Sequence, residues 1–85
     1  MATATPSPTP NPDAMKYTLD TTLPEMINVS TPEAAAPYPF AAAILAGGGV
    51  ASVFATADFV TVTRRPGADW ESITPAVQAA AAEHL

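Results

Sequence analysis

Ten prolines in 85 residues decide how this chain can be divided into elements. Each proline lacks a backbone donor and fixes φ. It therefore belongs at a helix start, in a turn or on a sheet edge, and not inside a hydrogen-bonded ladder. Pro6, Pro8, Pro10 and Pro12 crowd one end in a Thr/Ser/Ala context. Such a segment favours extended, polyproline-like backbone and offers nothing to bury. Residues 1–8 are accordingly expected to be a disordered tail, with one domain over 9–85. The remaining prolines, at 24, 32, 37, 39, 66 and 75, punctuate that domain.

The domain is small, so it has one core and modest stability. Its apolar fraction of 48% overstates the core, because much of it is alanine. The large residues, among them Tyr17, Leu19, Ile27, Val29, Phe40, Ile44, Val53, Val60, Val62, Ile73 and Val77, suffice for one core and leave little for a deep internal pocket. That balance favours a binding module over an enzyme. The chain has no cysteine, which removes disulfides, thiolate metal sites, cysteine-ligated clusters and cysteine nucleophiles. Three bases (Lys16, Arg64, Arg65) stand against eight acids, for a net charge of −5. Neither a nucleic acid nor an anionic membrane is an expected partner for such a surface. No basic n-region and apolar h-region open the chain, so no secretory signal is expected. A cytoplasmic monomer is the expectation.

Hydrophobic periodicity supplies the elements. Met15, Tyr17 and Leu19 alternate with Lys16 and Thr18, the mark of a half-buried strand over 13–20. Thr21 to Glu25, broken by Pro24, is a turn. Met26 to Ser30 forms a second short strand, with Ile27 and Val29 on one face. Residues 31–39 hold three prolines and read as a connecting loop. Pro39 is placed to open a helix over Phe40 to Ala46, and Gly47-Gly48-Gly49 is placed to end it. Val50 to Thr56 and Phe59 to Thr63 are β-rich runs joined by Ala57-Asp58, a hairpin signature. After Arg64-Arg65-Pro66-Gly67, Asp69 can cap a helix that starts at Trp70 and buries Ile73 and Val77. Pro75 should kink that helix or mark a second start, with Thr74 as the new cap. The resulting order, ββαββα, specifies an α+β fold of two layers: a four-stranded, mainly antiparallel sheet with two helices on one face. Between Glu33 and Asp58 the chain carries no charge, but its prolines and glycines and its alanine content argue against a membrane span.

Few residues can carry chemistry. The triple glycine follows a helix and precedes a strand, the reverse of a phosphate-binding loop, and no Lys-Ser/Thr pair follows it. His84 is the only histidine, at a helix end where it complements the dipole, and a conventional metal site needs further ligands. The serines lie in no nucleophile motif. The carboxylates are scattered over predicted turns and helix starts, where acids have structural uses. Two residues stand out. Lys16 is a rare base on the outward side of a strand beside the proline-rich arm. Trp70, the only tryptophan, suits either core packing or a partner anchor.

Three stretches together resemble the N-terminal domain of the Nfu/NifU-type iron–sulfur assembly proteins. Thr9-Pro10-Asn11-Pro12-Asp13-Ala14-Met15-Lys16-Tyr17 is similar to the family's T-P-N-P-x-x-x-K-[FY] opening. Pro39-Phe40-Ala41-Ala42-Ala43-Ile44-Leu45, running to Gly49-Val50 and Ser52-Val53-Phe54, resembles its helix followed by G-V-x-x-V-[FY]. Asp58-Phe59-Val60-Thr61-Val62-Thr63, then Asp69-Trp70-Glu71, Pro75-Ala76-Val77 and Glu83-His84-Leu85, looks like D-F-[IV]-T-V-T, W-x-x-[IL]-x-P-x-V and the closing helix. One departure is Gly47-Gly48, where the family often has an apolar–acidic pair. In full-length members a Cys-x-x-Cys pair in a separate C-terminal domain holds the cluster, and no such pair exists in these residues.

The resemblance implies an accessory recognition module for iron–sulfur cluster assembly or delivery. It would work through contact with assembly or client proteins, with no resident cofactor, no cluster ligation by these residues and no enzymatic activity. Pro10, Asn11, Pro12 and Lys16 are the expected partner-binding residues. A semi-rigid proline segment loses little entropy on docking, and an edge strand beside it offers backbone pairing. Two alternatives from other classes are weak binding of iron by surface carboxylates and a small hydrolase with an unrecognised carboxylate site.

Overall fold

A computed structural model describes residues 3–9, 11–23 and 25–85. The elements are strand β1 (Ala4–Pro8), β2 (Ala14–Leu19), β3 (Ile27–Val29), helix α1 (Pro32–Ala35), α2 (Pro39–Ala46), β4 (Val50–Thr56), β5 (Phe59–Arg64) and α3 (Trp70–His84). The sheet has five strands in the order β1-β2-β5-β4-β3, and every neighbouring pair is antiparallel. The two-layer α+β architecture is as the sequence implies. The count of four strands and two helices is not, and both additions have local causes.

The first addition is β1, where a disordered tail is expected. Ala4 to Pro8 pairs with β2 in the register Ala4↔Leu19, Pro6↔Tyr17 and Pro8↔Met15. Prolines fit an outermost strand when their donor-less nitrogens face away from the ladder. Pro6 and Pro8 are two residues apart, so both meet that condition together. Ala4 shares their parity, and its carbonyl accepts from Gln78 Nε2 of α3 at 3.2 Å. Ala4 is buried, and Thr3 N–H donates to Asp20 Oδ1 at 2.9 Å. The arm is thus held at the sheet edge by tertiary contacts.

The second addition is α1, inside the expected connecting loop. Thr31 caps it, its Oγ1 accepting from Ala34 N–H at 3.2 Å, with proline in the first turn and Glu33 beside it. One turn is too short to show hydrophobic periodicity, but this start signal is complete.

α2 and its glycine stop form as expected. Gly48 and Gly49 have φ of +80° and +75°, which end the helix and turn the chain into β4. Ala57 in the β4–β5 turn has φ of +52°, a left-handed conformation that is costly for alanine. α3 runs unbroken from Trp70 to His84, with Asp69 Oδ1 accepting from Ser72 N–H at 2.8 Å. Pro75 neither divides it nor creates a second cap. Instead of capping, the Thr74 hydroxyl bonds the Tyr17 hydroxyl of β2 at 2.9 Å.

One face of the sheet builds the core. Tyr17, Val53, Ala55, Val60 and Val62 are fully buried against Phe40, Ala41 and Ile44 of α2 and Ile73, Val77, Ala80 and Ala81 of α3. The opposite face is open. Its cross-strand rows run Thr5–Thr18–Phe59–Thr56 and Ser7–Lys16–Thr61–Phe54–Asn28. The order ββαββα suggests two repeats of one ββα unit, but the halves are not structural repeats, because β4 and β5 pair with each other while β2 and β3 lie apart.

Candidate functional site

The β1–β2 connection carries most of the residues expected to meet a partner. It is a tight turn built by local hydrogen bonding. Thr9 Oγ1 lies 2.8 Å from Asn11 O and 2.9 Å from Ala14 O, and accepts from Asn11 N–H at 3.2 Å. Asn11 Oδ1 accepts from Asp13 N–H at 2.9 Å, and Ala14 N–H donates to Asn11 O at 3.0 Å. Short polar side chains that bond their own backbone are what fix such turns. Asn11, Pro12 and Asp13 are exposed at its tip.

Long-range contacts then pin the turn to the rest of the fold. Arg64 N–H donates to Asp13 O at 2.8 Å, and Arg64 Nε meets Asp13 Oδ1 at 3.2 Å. The Arg64 guanidinium also donates to Ala68 O at 3.2 Å and sits 5.6 Å from the centre of the Trp70 ring. Trp70 Nε1 points at Pro12 O across a long 3.4 Å. Trp70 is half-buried: its ring packs on the core, as one of the two sequence readings expects, and its edge reaches the turn. The ion pair is exposed and contributes little by itself. Its value is geometric, since several weak restraints act on one short loop.

Lys16 lies on the other side of this arrangement. It projects from the open sheet face, exposed, with Nζ 4.8 Å from the centre of the Phe59 ring. Phe59 in turn meets Phe54 at a centroid distance of 6.3 Å, tilted by 51°. Among the outward-facing strand positions from Thr5 to Thr63, Lys16 is the only charged side chain. Two strand residues, roughly 7 Å, separate it from the end of the turn at Ala14.

The structure therefore brings Asn11 and Pro12 together at the turn tip and sets Lys16 on the adjoining sheet face. Pro10 lies outside the described residues. The expected backbone pairing along β2 does not hold, because β1 already occupies that edge and the two prolines blunt β1 itself. Arg64, Asp13 and Trp70 were not read as a unit from sequence. The available signal was the rarity of arginine and tryptophan in this composition.

The alternatives find less support in geometry. Among the described residues, no group of three or more His, Asp and Glu side chains is close enough to hold a metal ion. A cavity of about 200 Å³ opens between Leu23, Glu25, Ile27, Tyr38, Phe40, His84 and Leu85, and its lining holds a single acidic side chain. Paired carboxylates for hydrolysis are not assembled there. No helix among the described residues is long and apolar enough to cross a membrane.

Comparison with known proteins finds a matching family and relatives from Staphylococcus aureus. The family model described as the N-terminal part of scaffold protein Nfu/NifU matches residues 5–85. Conserved virulence factor C of Staphylococcus aureus strains MRSA252 and USA300 is 34% identical over 74 residues, or 86% of this chain. That match covers 20% of the relative, so the chain spans about a fifth of the length of the curated relatives it matches. The crystal structure of protein SAV1430 from Staphylococcus aureus superposes with a TM-score of 0.66 at 33% identity, over 88% of this chain and 92% of that one. Its solution NMR structure gives 0.62 at 31% identity, over 94% and 89%.

Proposed function

The chain belongs to the family of Nfu/NifU scaffold-protein N-terminal domains, and on that premise we propose that it is an accessory recognition module for iron–sulfur cluster assembly or delivery. In this reading it contacts an assembly or client protein through the Asn11–Pro12 turn and Lys16, and the cluster is cargo carried by another protein. The observation that carries the reading is the turn itself. Its tip is exposed, yet its backbone is fixed by Thr9, Asn11, Arg64 and Trp70. A surface loop ordered before binding loses little entropy on docking, which is the property a recognition element needs.

Lys16 adds charge selectivity. It stands alone on a face of threonines, serines and two phenylalanines, so an acidic group of a partner meets no competing carboxylate on that face. The absence of cysteine agrees with a role in contact rather than in holding a cluster through sulfur. Residence in the cytoplasm and a monomeric state are part of the proposal.

A pull-down from the native host tests it, with Lys16→Glu and Asn11→Ala as paired controls. The proposal expects the unaltered chain to recover iron–sulfur assembly or cluster-receiving proteins, and both variants to lose them while remaining folded. Recovery of no such protein, or equal recovery by the variants, contradicts it. Anaerobic calorimetric titration with ferrous iron separates the carboxylate alternative, for which saturable micromolar binding is required.

A further inference from the structure

The cavity at the opposite end of the domain from Asn11 and Arg64 has no part in that reading, and its surroundings define an occupant. Its walls are apolar: Leu23 and Ile27 from the β2–β3 segment, Tyr38 and Phe40 from the start of α2, and Leu85 after α3. At about 200 Å³ it is below the roughly 300–1,000 Å³ of small-molecule sites, and suits one or two bulky side chains. Glu25 and His84 stand on its rim, and Met26, the exposed large hydrophobic next to Glu25, is 59% accessible.

The charge around this opening is one-sided. Leu23 N–H donates to Ala57 O at 2.7 Å and Leu19 N–H to Asp58 O at 2.7 Å, which ties the β2–β3 segment to the β4–β5 turn. Glu25 therefore stands on the rim with the Ala57–Asp58 turn next to Leu23, and Glu83 adjoins His84; these three acids are exposed. Arg64 closes β5 at its far end and Arg65 follows it, roughly 17 Å from the turn. Lys16 faces the open side of the sheet, against Phe59. The C-terminal end of α3, with its negative dipole end, also borders the opening.

We propose that this cavity is a second docking site, which takes one bulky aliphatic side chain of a basic peptide segment from a partner protein. The apolar walls supply affinity for the anchor, and the acids around the rim select its flanking lysines or arginines. An acidic partner segment is rejected by the same rim. The site is separate from the Asn11–Pro12 turn, so either surface can fail its test without affecting the other.

Amide chemical-shift mapping of the labelled 85-residue chain with synthetic peptides tests this. The probe KKSLSKK should bind saturably and move Leu23, Ile27, Tyr38, Phe40 and Leu85. Replacing its leucine with alanine should weaken binding at least about ten-fold, the loss of two or three buried carbons. The acidic counterpart EESLSEE should not bind. Glu25→Lys should weaken KKSLSKK about five-fold, while Glu71→Lys, at the other end of α3, should leave it unchanged; an unaltered spectrum elsewhere establishes that both variants fold. Equal binding of the leucine and alanine peptides overturns the proposal, as do shifts scattered over the acidic surface or indifference to Glu25→Lys. Broadening of the cavity amides with protein concentration alone also overturns it, because a second copy then fills the site.

Discussion

The bond between the Tyr17 and Thr74 hydroxyls joins helix α3 to the sheet, side chain to side chain, and its worth follows from the burial of its partners. Tyr17 is 0% exposed and its bond to Thr74 measures 2.9 Å. Thr74→Val keeps the side-chain shape but orphans a phenol that has no water to turn to, which costs about 1–3 kcal/mol. Tyr17→Phe leaves the half-buried Thr74 hydroxyl, which can rehydrate or bond back to its own helix, so the loss is about 1 kcal/mol. The double variant restores a consistent apolar contact. It should be destabilised by less than the sum of the singles, with a coupling of about 1–2 kcal/mol. For a domain of this size the whole stability is roughly 4–13 kcal/mol, so each step is measurable. Urea unfolding followed by the fluorescence of Trp70 at neutral pH completes the cycle. Additivity of the two singles within about 0.3 kcal/mol refutes the argument that this bond ties α3 to β2. The same pair predicts an alkaline signature. Burial holds the Tyr17 phenol above its ordinary value of 10.0, and the bond to Thr74 opposes this in part. The folded state thus keeps the proton more tightly than the unfolded chain. The resulting stability is complete below about pH 10 and is lost as pH rises through the folded value, and Tyr17→Phe should remove that slope.

Three further outcomes follow from local geometry. Asp69→Ala removes the cap on Ser72 N–H and should cost about 1 kcal/mol in urea unfolding, with the far-ultraviolet spectrum otherwise kept. Ala57→Gly relieves the left-handed φ of +52° in the hairpin turn and should stabilise by about 0.5–1 kcal/mol after the added chain entropy is counted. Pro6→Thr combined with Pro8→Thr restores outward donors on β1, and light scattering should then show more concentration-dependent self-association than the parent chain gives.

Much of the architecture is legible in the sequence because the signals agree with one another. β2 alternates cleanly from Met15 to Leu19, and its inward residues are the buried ones. α2 has Pro39 at its start and glycines at its stop, and α3 has Asp69 before its apolar face, so pattern and caps point to the same boundaries. Proline caused the misreadings. At 6 and 8 it reads as disorder, yet an edge strand needs donors on one side only, and Ala4 is small enough to fit beneath α3. At 75 it reads as a break, yet the helix loses only one hydrogen bond there and keeps its apolar face through Ile73 and Val77. The order of strands was also hidden, because β2 reaches β5 and β3 reaches β4 through pairings remote in sequence. At the candidate site, exposure of Asn11, Pro12 and Lys16 was foreseeable. The clamp of Asp13, Arg64 and Trp70 was not, since Asp13 stands more than fifty residues before the other two, which come from different layers.

The central claim is that this chain works by contact through the Asn11–Pro12 turn and Lys16. The most direct measurement is amide shift mapping of the labelled chain with a purified iron–sulfur assembly or client protein captured from the native host. The account predicts shifts concentrated at residues 9–16 and at Arg64 and Trp70, abolished by Lys16→Glu, with iron remaining on the partner. Shifts confined to other surfaces, or iron transferred to and retained by this chain, contradict it.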